Sequence, residues 1–159
     1  MKVLWAPWRM EYILGPKEQE CIFCTLPAER NDRDNLILYR GKNCYVIMNK
    51  YPYNNGHLMV VPYFHTSTFD GLSDEVLAEM NLLTKFCVDC LRTAFRPEGF
   101  NVGINIGKAA GAGIEEHLHT HIVPRWSGDA NFMTSVGELR VIVEHIRETY
   151  DRLFPVFNP

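Results

Sequence analysis

The stretch His117-Leu118-His119-Thr120-His121-Ile122-Val123 places three of the six histidines of the chain at alternate positions within five residues. Successive side chains of a β-strand point to opposite faces, so this spacing predicts a strand with all three imidazoles on one face. Leu118 and Ile122 then face a core. Imidazoles aligned this closely repel one another when protonated, and histidine is a weak strand former. A cleft that uses them is therefore the better reading than a polar or metal-binding strand face without chemistry.

On either side of this stretch, β-formers bounded by turn residues predict further strands over 35–40, 43–49, 57–61 and 100–106, with 117–123 as the fifth. Ser73 followed by Asp74 and Glu75 is a helix start. Val76, Met80, Leu83, Cys87, Cys90 and Ala94 then recur at three- and four-residue spacing, which predicts a helix over 73–95 that stops before Pro97. Leu139, Ile142, Val143, Ile146 and Leu153 mark a second amphipathic helix over 138–153. Strands cluster, then a helix, then strands, then a helix. That order favours an α+β fold with an antiparallel sheet of about five strands and two main helices. One domain is expected over 1–159, made of an arm over 1–30, a core over 31–135, and a helix and tail over 136–159.

With 159 residues, 47% of them hydrophobic and 22% charged, the chain can bury a sizeable core, which excludes disordered, collagen-like and coiled-coil classes. A net charge of −3 argues against a nucleic-acid polymer as partner. Trp5, Pro7, Trp8, Arg9 and Glu11 interrupt the first fifteen residues, unlike the apolar region of a signal peptide. No uncharged apolar run approaches the roughly 20 residues of a spanning helix, so no membrane is expected. Five cysteines, an odd number, cannot all pair within one chain, and a reducing cytoplasm fits best.

Cys21-Ile22-Phe23-Cys24 has three readings: two buried thiols, half of a zinc site, or a redox pair. Cys87 and Cys90 share the spacing but sit on the apolar stripe of the first predicted helix, where core packing is expected. The glycine-rich run Gly107-Lys108-Ala109-Ala110-Gly111-Ala112-Gly113, preceded by Asn105, is a natural phosphate cradle, because backbone N–H groups approach an anion closely where no Cβ intervenes.

The 117–123 stretch resembles the motif of the histidine-triad (HIT) family of nucleotide hydrolases and transferases, His-φ-His-φ-His-φ-φ with φ apolar, Thr120 standing at a φ position. The resemblance implies a HIT-like fold with His119 as nucleophile, forming a nucleotidyl-histidine that phosphate or water resolves. It implies that the His117 carbonyl holds the other nitrogen of His119, and that His121 donates to the phosphate oxygens. Asn49-Lys50-Tyr51-Pro52-Tyr53-Asn54-Asn55-Gly56-His57-Leu58-Met59-Val60-Val61-Pro62 resembles the second signature of the family. By that match His57 orients His121, and Asn49 binds the ribose hydroxyls.

In some branches of the family two histidines complete a zinc site with such a CxxC. Their counterparts here are His65 and His117, so Cys21, Cys24, His65 and His117 are the implied ligands of a structural Zn²⁺. The segment from Gly103 to Phe132, together with Leu4-Trp5-Ala6-Pro7-Trp8-Arg9-Met10 and the CxxC, looks most like the diadenosine tetraphosphate phosphorylase branch. A homodimer that binds an adenosine-type nucleotide and cleaves dinucleoside polyphosphates is implied, with Asn105, Gly111, Ala112 and Gly113 near the phosphates. Purine nucleoside phosphoramidase activity and a non-catalytic nucleotide-binding or zinc interaction module are the alternatives. Gly113 departs from relatives that carry Ser or Gln there, which removes a side-chain donor from the phosphate subsite and leaves the choice of phosphate or water open.

Overall fold

A computed structural model describes residues 20–130 and 141–159. It contains a short helix α1 (Ile22–Ala28), strands β1 (Ile37–Arg40), β2 (Cys44–Met48) and β3 (Leu58–Pro62), a long helix α2 (Asp74–Phe95), strands β4 (Gly99–Ile104) and β5 (Thr120–Arg125), and a last helix α3 (Ile146–Phe157). The strands form one antiparallel sheet in the order β1-β2-β3-β5-β4. The α+β arrangement is the one expected from the order of predicted elements. Among the described residues no helix is long and apolar enough to cross a membrane.

Helix α2 begins and ends where its sequence dictates. Ser73 is extended and accepts the Val76 amide through its hydroxyl, and Arg96 closes the helix in the left-handed conformation ahead of Pro97. Cys87 and Cys90 are buried on its inner stripe, as free thiols. Glu79 fastens the helix to the β1–β2 turn, where its carboxylate accepts from the Asn43 and Cys44 amides and the Asn43 side chain at 2.7 to 3.2 Å. Hydrogen bonds to a charged group are each worth about 1.5–3 kcal/mol, so this is a strong tie between helix and sheet.

The sheet has two distinct faces. Cys44 reaches the Val76 carbonyl on α2, so the register puts Cys44, Val46, Met48, Leu58, Val60, Thr120 and Ile122 under the long helix. Helix α3 lies against α2 and β1, with the buried Phe157 ring 5.1 Å from Phe86. Tyr45, Ile47, Met59, Val61, His121 and Val123 occupy the opposite face, over which Tyr45 donates its hydroxyl to the Phe23 carbonyl of α1 at 2.8 Å.

Two expectations are corrected, and one helix was not foreseen. Strand β5 starts at Thr120, so only His121 of the three histidines lies in the ladder. Residue 118 would fall opposite Pro62, which has no N–H to offer, and the strand pairing with β3 ends at Val60–Thr120. The last helix starts at Ile146 instead of 138: 141–145 are not helical, Val141 and Val143 are exposed, and His145 caps the helix by accepting the Arg147 amide. Of the apolar residues there, only Ile142 is half-buried against the described residues. Leu139 lies outside the described residues, as do Trp5, Trp8 and Phe132. Helix α1, unforeseen because it has only seven residues and contains Pro27, carries the CxxC, with Cys21 at its N-cap and Cys24 within it.

Candidate active site

The four histidines 57, 117, 119 and 121 are all buried. His119 Nδ1 lies 2.8 Å from the carbonyl oxygen of His117. A carbonyl only accepts, so Nδ1 carries the proton and donates, and Nε2 is left with its lone pair. This is the tautomer a nucleophilic imidazole needs.

The tautomer of His121 follows from its neighbours in two steps. His57 Nδ1 accepts the backbone N–H of Tyr53 at 3.1 Å, with the Asn49 side-chain amide at 3.4 Å. Its proton therefore sits on Nε2, which donates to His121 Nδ1 at 2.9 Å. His121 in turn carries its proton on Nε2. Its ring centroid is 4.6 Å from that of His119. A lone-pair nitrogen and an N–H donor thus come from adjacent rings on one sheet face.

Burial keeps these rings neutral. It lowers His57 to about 3, helped by the neighbouring His121 and His119, and lowers His121 to about 4, helped by His119. His119 is lowered by burial as well, against the opposing pull of the His117 carbonyl. Two aromatic rings enclose the group: Phe23 lies 4.8 Å from His119 and 5.5 Å from His117, and Tyr53 lies 4.5 Å from His57 and 5.5 Å from His121. Neither aromatic was singled out from the sequence. Phe23 stood only inside a cysteine motif, and no spacing tied Tyr53 to a histidine 68 residues away.

Asn49 follows β2 and does two things at once. Its side-chain oxygen accepts the Tyr51 amide at 2.9 Å, as a turn residue does, while its amide nitrogen faces His57. Asn105 is half-buried just beyond the end of β4. The glycine-rich loop folds on itself. The Gly111 and Ala112 amides donate to the Lys108 and Gly107 carbonyls, so their N–H groups are engaged within the loop. Gly111 has φ +85°, a conformation that suits glycine. The Gly113 amide makes no hydrogen bond among the described residues, and a Cβ there would meet nothing within 4 Å.

Cys21, Cys24, His65 and His117 converge, with one ligand atom from each all lying within 4.8 Å of one another. His117 Nδ1 is 3.3 Å from Cys21 Sγ and 3.6 Å from Cys24 Sγ, and His65 Nδ1 is 3.4 Å from Cys24 Sγ. Metal–ligand bonds of about 2.0–2.3 Å around a tetrahedral ion require separations near these. His117 Nε2 donates to the Pro62 carbonyl at 2.8 Å, which leaves the Nδ1 lone pair on the cysteine side. Burial pushes the Cys21 thiol up to about 11, against the lowering by the Phe23 amide. A thiol so held is a poor redox nucleophile, whereas a dication would draw its proton off. The donor set therefore fits zinc.

A family model described as HIT domain matches residues 30–128. The chain is similar to an AP-4-A phosphorylase of Mycobacterium tuberculosis, with 42% identity over 154 residues that span 92% of this chain and 79% of that protein. Among solved structures it is similar to a zinc-bound histidine triad family protein from Mycobacterium smegmatis, at TM-score 0.70 and 26% identity, covering 87% of this chain and 93% of that one. A hypothetical histidine triad nucleotide-binding protein from Sulfolobus tokodaii gives TM-score 0.68 and 28% identity, covering 86% and 89%.

The neutral histidine pair makes stability depend on pH. His57 and His121 titrate near 6.5 when unfolded and well below that when folded, so between those values the unfolded chain holds protons that the native one lacks. Their contribution is complete above about pH 6.5 and is lost as pH falls, at up to about 1.4 kcal/mol per pH unit for each ring. Urea unfolding in the presence of chelator should show a lower midpoint at pH 5 than at pH 7. Equal midpoints would contradict the buried neutral pair.

Proposed function

The chain belongs to the HIT domain family, and from that membership we propose that it is an enzyme that cleaves dinucleoside polyphosphates of the diadenosine tetraphosphate kind through a nucleotidyl-His119 intermediate. The observation that carries this reading is the pair of tautomers: a His119 Nε2 lone pair beside a His121 ring whose Nε2 bears the proton. In this mechanism His119 Nε2 attacks the α-phosphorus, the N–P bond forms, and the bond to the bridging oxygen breaks, so that the remaining nucleotide leaves with that oxygen. The proton stays on His119 Nδ1, hydrogen-bonded to the His117 carbonyl, whose dipole stabilises the positive charge of the imidazolium. His121 donates to a non-bridging oxygen as charge builds there, and His57 holds it in that tautomer. Asn49 takes the ribose hydroxyls, and Asn105 with the Gly113 amide lies along the phosphates.

The acceptor in the second step is phosphate, a choice supported by the 42% identity to a protein named AP-4-A phosphorylase. Diadenosine tetraphosphate with phosphate then yields ADP and ATP. Product analysis with and without phosphate tests this directly, and His119→Ala should lower turnover by at least about 1,000-fold with the fold intact. Turnover equal to that of the parent would remove His119 as nucleophile. AMP with ATP would assign hydrolysis instead.

Zinc held by Cys21, Cys24, His65 and His117 is part of the same reading. Four protein ligands leave no open position, so the ion would serve as a cross-link between α1, the segment after β3 and the run into β5. Elemental analysis should find about one equivalent in the parent and little in Cys21→Ser, with a lower melting temperature. Unchanged metal content would remove the cysteine-based site.

A homodimer completes the proposal. Among the described residues strand β4 is an unpaired edge of the sheet, with Asn101, Val102 and Gly103 exposed along it, and such an edge invites pairing with a second copy. Sedimentation should give twice the mass of one 18.4 kDa chain. A single-chain mass at micromolar concentration would oppose the dimer.

A further inference from the structure

The turn over 51–56 supplies the shorter of the two contacts that keep the proton of His57 off Nδ1, the Tyr53 amide at 3.1 Å against the Asn49 side-chain amide at 3.4 Å. What holds the turn lies on its far side. Asn54 is buried, and its side-chain amide donates to the Pro124 carbonyl at 3.0 Å and to Asp129 Oδ2 at 2.8 Å. Its backbone carbonyl accepts the His57 amide at 3.2 Å. Asp129 is itself held by Arg125, which donates to both carboxylate oxygens at 2.7 and 2.8 Å and reaches Asn101 Oδ1 at 2.7 Å. A bidentate guanidinium fixes the plane of a carboxylate as well as its place. Asn55, the next residue, is joined to Glu144 and Thr149 at the start of α3, so the turn is tied on two sides. Gly56 closes it at φ +73°, where a Cβ would come within 3.3 Å of Leu91.

We infer that Asn54 and Asp129 are a positioning pair that holds the Tyr53 amide on His57 Nδ1 and thereby keeps the His121 proton on Nε2. Neither residue touches the reacting atoms. Without the pair the amide moves off Nδ1, and His57 can take its proton there and present a lone pair to His121, which reverses the direction of the hydrogen bond between the rings. His121 then carries its proton on Nδ1 and offers a lone pair where the proposed chemistry needs a donor. The inference rests on the reading of His121 as a phosphate donor for its catalytic consequence, and on geometry alone for its tautomeric one.

The test uses the full chain with nitrogen-15 histidine, and long-range proton–nitrogen spectra that distinguish the two imidazole tautomers. The parent should show His57 and His121 each in a single Nε2–H form. A parent with His57 protonated on Nδ1 would overturn the inference without any variant. Asn54→Asp, close in shape, removes both donated bonds and sets a carboxylate against Asp129. Asn54→Ala removes the bonds without adding charge, and Asn55 still ties the turn in both. Each should show mixed tautomers and a kcat on diadenosine tetraphosphate lowered by about 10- to 100-fold, with KM changed less than about twofold. Combining Asn54→Asp with Asp129→Asn restores one hydrogen bond with its direction reversed and should recover the single form in part. Folded variants that keep the tautomers of the parent would overturn the positioning role, whatever their activity. A parent inactive on the dinucleotide would instead overturn the proposed function, while the spectra would still decide the positioning pair.

Discussion

His117 is fully buried, with both ring nitrogens and its backbone carbonyl engaged. Its Nε2 donates to the Pro62 carbonyl, its Nδ1 faces the Cys21 and Cys24 sulfurs, and its own backbone carbonyl accepts Nδ1 of His119. A histidine that donates from one nitrogen must accept from the other while it is neutral, and burial keeps it neutral. One ring thus ties the end of β3 to the cysteines of α1, and the same residue sets the proton of the next histidine. The rest of the site depends on where this residue lies.

Direction passes through the other histidines in the same way. An imidazole has two nitrogens, and fixing the partner of one assigns the role of the other. The backbone contributes both fixed ends here, a carbonyl for His119 and the Tyr53 amide for His57. Backbone groups do not change protonation across the physiological range, so the assignment holds wherever the rings stay neutral. Burial secures that at the expense of stability in acid, and a site of neutral imidazoles can receive an anionic ligand through directed N–H groups rather than net charge. The −3 balance of the chain is compatible with such a ligand for this reason.

Much of the fold was legible along the chain. The helix over 73–95 could be read to its caps because Ser73 and the residue before Pro97 act locally. Five strands could be placed from alternation and turn residues, since those patterns depend on near neighbours. The start of the last helix could not, because the apolar spacing at 139–143 has no record of whether a surface exists to cover it. The alternation over 117–123 starts strand β5 three residues too early, because an extended run-in has the same alternation as a paired strand, and only the pairing partner, here one ending in proline, separates the two.

For the site, the chemistry available is legible along the chain: three histidines at alternate positions, a fourth in a Gly-His signature, and a CxxC with a histidine to match. Alternation along one extended segment is a local property, so it survives even where the ladder does not. The tertiary structure decided which nitrogen of His57 and of His121 is free. His57 takes its direction from the Tyr53 amide, in a turn that Asn54 and Asp129 hold, and passes it to His121 across the sheet. The direction of the His57–His121 hydrogen bond belongs to a contact between segments 64 residues apart, and residue spacing carries no trace of it.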